Sequence, residues 1–214
     1  EGVENYYSIK GLGNGSAKFY YTSENDSAAY APSGEVESKY RVQVRHKWDM
    51  GYDTLATFEF NKVRDQNFIK DYFYKEFEEA GEPDNYITFI TAKENYTASF
   101  LARKRIDKYL TVVERLPELK IDVPNYRIVK DMPVYYKTEM SGVYLNKTFA
   151  RDGPPDEKDL NTIRFDKSDQ LSYAARVFRA LSVTPYVGTR QTYYSRNKWG
   201  DTNLIRSVFT AGID

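Results

Sequence analysis

Four cations stand at alternate positions in one short stretch: Lys39 and Arg41, then, beyond Gln43, Arg45 and Lys47. In an extended strand, residues two apart share a face. The four would then line up as a basic strip, and the chemistry of such a strip is the holding of anions. The alternative is that these charges only keep a water-filled space wet.

Other residue sets carry less chemistry. His46 is the only histidine, so no histidine metal cluster or second-histidine relay exists, and its place on an apolar face beside a turn reads as interfacial. Gly11-Leu12-Gly13-Asn14-Gly15 has the look of a phosphate loop. It lies between two strand patterns with no helix after it, so a hairpin turn is expected. The acidic run Glu76, Glu78, Glu79, Glu82 and Asp84 lacks the alternate spacing of a calcium loop and reads as a solvated loop face. Asp65 and Asp71 have no partner motif that would make them a hydrolytic pair. The absence of cysteine excludes disulfides, thiolate metal sites and cysteine nucleophiles. The expectation is a non-enzyme with no cofactor and no metal.

The elements that position these residues announce themselves by alternation. Tyr40, Val42, Val44, His46 and Trp48 fall opposite Lys39, Arg41, Gln43, Arg45 and Lys47, and after a short break Ala56, Phe58 and Phe60 oppose Thr57, Glu59 and Asn61. Two such segments joined so tightly predict a hairpin. The same pattern predicts about eleven strands, at 3–11, 15–24, 38–49, 53–64, 84–93, 95–104, 108–122, 132–150, 161–177, 180–196 and 202–213. Short breaks near 12–14, 50–53, 94 and 178–180 alternate with long polar ones at 24–37, 65–84, 151–160 and 197–201. The breaks at 105–107 and 124–131 fit this scheme less well. Phe68 to Ala80, inside one long connection, is helix-tolerant and is expected to form a short helix.

Composition agrees. Lysine plus arginine and aspartate plus glutamate both total 31, which argues against a nucleic-acid binder held by a positive field. Hydrophobic residues reach only 41%, yet 20 Tyr and 12 Phe bring aromatics to 16%, too many for a disordered chain of this polarity. No stretch approaches the ~20 apolar residues of a spanning helix. No amino-terminal signal peptide is visible, so the chain reads as unexported, mature or an internal fragment.

Period two does not say which face is wet. A lipocalin-like barrel or β-sandwich hides its apolar face, whereas a membrane barrel shows it to lipid. Long charged side chains in mid-strand and the alternation of short and long connections favour the membrane. The fold class expected is all-β: an antiparallel transmembrane β-barrel, partial, with about eleven strands of a larger one, residues 1–214 forming one segment. A porin-type channel and a soluble lipocalin-like or β-sandwich binding module are the alternatives.

Several segments resemble one family. His46 to Phe73 is similar to an early barrel hairpin and the loop after it, with Val63-Arg64-Asp65, Phe68 and Asp71-Tyr72 at the marked positions. Glu114 to Asp122 resembles an "R-L-P-x-L" strand, and Arg164 to Tyr194 a hairpin whose second strand reads "L-x-x-T-P-Y-V-G-x-R-x-T-Y-Y". Leu204 to Gly212 fits the strand that follows. The family is LptD, the lipopolysaccharide-assembly proteins of the outer membrane of Gram-negative-type bacteria. The resemblance implies a barrel of about 26 strands with an LptE-like lipoprotein plug in its lumen. Lipopolysaccharide would arrive from a periplasmic Lpt bridge through a jelly-roll domain and leave through a seam among the outer-membrane lipids. The jelly-roll, the closing strands with their gate residues, and the family's cysteines have no counterpart among these residues. Under this resemblance Lys39, Arg41, Arg45 and Lys47 would face the lumen, meeting phosphorylated sugars or acidic residues of the plug.

Overall fold

The computed structural model describes residues 1–24, 37–64, 67–80, 84–150, 159–177, 181–197 and 199–213. Eleven antiparallel strands, each paired with its neighbours along the chain, build one sheet. They are β1 (Gly2–Ile9), β2 (Gly13–Glu24), β3 (Glu37–Gly51), β4 (Thr54–Val63), β5 (Tyr86–Ala92), β6 (Thr97–Arg103), β7 (Val112–Arg127), β8 (Val134–Thr148), β9 (Leu160–Tyr173), β12 (Pro185–Arg196) and β13 (Thr202–Ile213). A small ladder of β10 (Ala175–Val177) and β11 (Leu181–Val183) continues the hairpin of β9 and β12. Two helices, α1 (Phe68–Tyr72) and α2 (Tyr74–Ala80), lie between β4 and β5. Among the described residues the chain is all-β apart from these helices, and the sheet is not closed: β1 and β13 do not pair with each other.

Turn chemistry explains several joints. Tyr52 and Asp53, between β3 and β4, both take positive φ, the two-residue mirror-image turn whose twist matches the flanking strands. Between β9 and β12 the predicted unbroken strands are interrupted at Ala174 and Thr184, although Ser172↔Tyr186 and Ala175↔Val183 keep one register. Pro185 stands at this break and has no N–H to give the ladder. In β7 the register slips twice, between Arg115 and Glu118 around Pro117 and between Val123 and Tyr126 around Pro124. Bulges absorb the prolines, and β7 reaches Arg127 instead of ending near 122. The two breaks that fitted poorly thereby fall into place: 104–111 joins the long connections and 128–133 the short ones.

Burial on the sheet is the reverse of that in a water-soluble core. On one face, Phe209 is 81% and Ile205 73% exposed, and Phe19, Phe165, Leu119 and Val187 are open as well. On the other, Arg41 is 4% and Asn61 2% exposed, with Gln43, Asp166 and Thr192 also buried. The polar face is the enclosed one. The apolar face is interrupted by polar groups, among them Glu114 with Asn146 near the long connections and, at mid-sheet, Asp169 on β9, which accepts hydrogen bonds from the hydroxyls of Tyr136 and Thr138 and faces Lys167 at 2.9 Å.

Aromatic residues mark both ends of the apolar face: Tyr7, Trp48 and Tyr173 toward the short turns, Tyr21, Tyr40 and Tyr144 toward the long connections. Tyr7 crosses Gly15 to stack on His46, rings 5.7 Å apart and 10° from parallel, with its hydroxyl 3.2 Å from Nδ1. His46 Nε2 lies 2.8 Å from the Leu12 carbonyl, and the Trp48 indole N–H donates to the Gly11 carbonyl at 2.9 Å. The glycine-rich segment is thus a hairpin turn clasped by its neighbours. Gly212 is covered in the same way by Tyr186, its partner in register, on the polar face.

Candidate functional site

Lys39, Arg41, Arg45 and Lys47 do share one face of β3, the polar one, with Lys18 of β2 and Glu59 and Asn61 of β4 beside them. They do not form a bare cationic strip. Arg41 Nη1 lies 2.6 Å from Glu76 of α2, and Lys18 Nζ 2.8 Å from the same carboxylate. The Arg41 guanidinium also sits 4.9 Å over the Phe73 ring and donates to Gln43 Oε1 at 3.2 Å. Arg45 pairs with Glu59 at 3.1 Å, and Lys39 lies 5.9 Å over the Tyr72 ring. Lys47 is exposed near the short turns.

The element that engages them is the helical segment. Phe68 and Ile69 of α1 are buried with Val63, and Tyr20, Tyr72, Phe73, Phe77 and Tyr109 pack around them. This cluster fastens the helices to the polar face of β2–β4. Phe68, Ile69, Tyr72, Phe73 and Phe77 recur at the spacing of one helical face, the signal that such a segment has something to pack on. Glu76 is therefore not the solvated loop residue expected from the acidic run. Burial raises its pKa, but hydrogen bonds from Lys18 and Arg41 outweigh this and hold it below the ordinary carboxylate range. Asp84 of the same run pairs with Arg103 at 2.7 Å, while Glu82 lies outside the described residues. Asp65 lies outside them too, and Asp71 is exposed on α1, so no carboxylate pair is seen there. Asp107, in the connection after β6, is bonded by Lys62 and by the Val63 N–H, the latter at 3.2 Å.

A second cluster occupies the polar face of β9, β12 and β13. Asp166 accepts from Arg164 Nη2 at 2.7 Å, from Nε and Nη2 of Arg190, and from the Thr192 hydroxyl at 2.8 Å. Arg206 stands opposite Thr192 on β13. A cavity of about 480 Å³ opens here, lined by all three arginines with Ser168, Thr192 and Thr210. Sequence reading passed over this cluster because its members are far apart in the chain. The signal was nevertheless present: a hairpin centred on the break at 178–180 sets Asp166 opposite Thr192. No group of three or more His, Cys, Asp or Glu among the described residues is arranged to hold a metal ion.

Set beside known proteins, the chain matches no protein-family model and no curated protein.

Proposed function

We propose that these strands are part of the wall of an outer-membrane β-barrel that moves lipopolysaccharide to the outer leaflet. The observation that carries the barrel is the inverted burial: charged and amide side chains enclosed, phenylalanines and isoleucines open. A sheet with that distribution fits a hydrocarbon solvent on one side and a hydrated lumen on the other. Strand length supports it, since crossing a bilayer takes ~9–11 tilted residues and β2, β3, β7, β8, β9, β12 and β13 run from 12 to 16. The short pair β5 and β6 is extended by Lys104 N–H to Asn85 O at one end and Lys93 N–H to Tyr96 O at the other.

The cargo rests on the resemblance of 46–73, 114–122 and 164–194 to the lipopolysaccharide-assembly family. An LptE-like plug, the periplasmic Lpt bridge and outer-membrane lipids are the partners this reading brings. Moving an amphiphile needs a wet path for its headgroup beside an apolar one for its chains, and a two-faced sheet supplies both. The helical segment on the polar face favours a second reading, a porin-type channel whose lumen it narrows. Membrane fractionation, gel migration with and without boiling, and surface lipopolysaccharide after depletion test these together. Outer-membrane recovery, a heat-dependent shift and a fall in surface lipopolysaccharide are expected. A soluble protein without the shift would overturn the barrel. A shift with unchanged lipopolysaccharide and steady single-channel conductance would replace the translocon with the channel.

A further inference from the structure

We infer that Arg164, Arg190 and Arg206 form a binding site for a phosphate group on the polar face of β9, β12 and β13. The inference rests on the reading above for the origin of the ligand, but not for the binding chemistry.

Charge is the first argument. Three guanidinium groups on three successive strands border the cavity, and two of them, Arg164 and Arg190, share the carboxylate of Asp166. Its two oxygens already accept four hydrogen bonds, three from Arg164 and Arg190 and one from Thr192. A carboxylate offers about four lone-pair sites, so Asp166 is saturated and has none for Arg206. Glu139, facing this region from β8 opposite Ser168, is held by Lys120 at 2.6 Å. Asp169 also borders the cavity, but its carboxylate turns to the other face, where Tyr136, Thr138 and Lys167 hold it. Arg206 has no hydrogen bond or ion pair among the described residues. The cavity thus holds three positive charges against one negative.

Orientation is the second argument. Asp166 acts as a positioning residue, fixing two guanidinium planes while leaving part of their donor set unused. Arg164 Nε is enclosed and has no acceptor. Ser168 and Thr210 add neutral hydroxyls to the rim. Fixed guanidinium forks with nearby hydroxyls suit the tetrahedral oxygens of phosphate better than a single carboxylate. The volume, about 480 Å³, falls in the small-molecule range of roughly 300–1,000 Å³, enough for a phosphate and the group bearing it. The cations of β3 differ on this point, because Arg41 and Arg45 are engaged by Glu76 and Glu59.

The test is calorimetric titration of the protein in detergent with inorganic diphosphate. The variants are Arg206→Gln, Arg190→Gln and, as a control on the other half of the face, Arg45→Gln. Arg206→Gln is expected to weaken binding about tenfold, which is ~1.4 kcal/mol; the double variant with Arg190→Gln should lose it, and Arg45→Gln should match the parent. Heat-dependent gel migration of each sample reports the barrel separately. Parent protein that does not bind diphosphate, or Arg206→Gln that binds it as well as the parent, would overturn the site even if the shift is intact. Competition of diphosphate by micelles doped with phosphatidic acid, but not with phosphatidylcholine, would assign the site to a lipid headgroup. Binding without that competition would assign it to soluble phosphate.

Discussion

The two halves of the polar face use arginine in opposite ways. On β2–β4, Arg41 is covered by the helices, its side chain 5% exposed, and its partner Glu76 arrives from outside the sheet. On β9–β13, Arg190 is 57% exposed and its partner Asp166 lies on the neighbouring strand. Cover makes the first pair a fastening, whereas openness leaves the second able to take a ligand. The same side chain at the same kind of strand position thus serves two ends, decided by what packs above it.

The sharpest way to break the contrast is to remove the cover. Phe68→Ala should cost about 3–5 kcal/mol, since Phe68 is 0% exposed within the aromatic cluster. Urea denaturation in detergent would measure this, and early proteolysis within 67–80 would show the helices freed. An unchanged midpoint would mean that both halves are equally open. Next is Glu76→Gln, expected to cost ~1–3 kcal/mol by leaving buried Arg41 without its counter-ion. The effect is limited because the Glu76 side chain is 38% exposed.

Acidification probes the same pair. A carboxylate whose pKa is lowered by folding stabilises the native state above its ordinary value, and that contribution is lost as pH falls through the folded value. For Glu76 the loss should begin below about 4.5. Protease protection of 67–80 should therefore weaken there in the parent, and Glu76→Gln should lack that component. The smallest effect is reserved for the open half. Arg190→Gln should change stability by ~0–1 kcal/mol, leaving the denaturation midpoint near that of the parent; a loss as large as that of Glu76→Gln would make both pairs fastenings.

Strand number and facing were legible because period two survives in nearly every segment. Tyr40 to Trp48 and Leu119 to Val123 fell on their observed faces without knowledge of the rest. Extent was less legible wherever proline intervened: Pro117 and Pro124 shift the phase of β7, and the strand read from alternation ends at 122, just short of the second slip. The helices were visible as helix-tolerant, but the acidic run disguised where they go. Nothing local tells Glu76 that Lys18, far back in the chain, will be beside it. Of the site residues, the β3 cations were expected to share one face of the strand and do so, while their partners were not foreseeable from alternation. The Asp166 cluster required register, which depends on the turn and not on the strands themselves.

A Cβ built on Gly212 would meet the Tyr186 side chain first, at 2.6 Å from its hydroxyl oxygen. Position 212 is therefore not free to vary alone, because a larger residue there demands a smaller or displaced one at 186. In a family of such chains the two columns would change together, and their coupling would reveal the β12–β13 register from sequences alone.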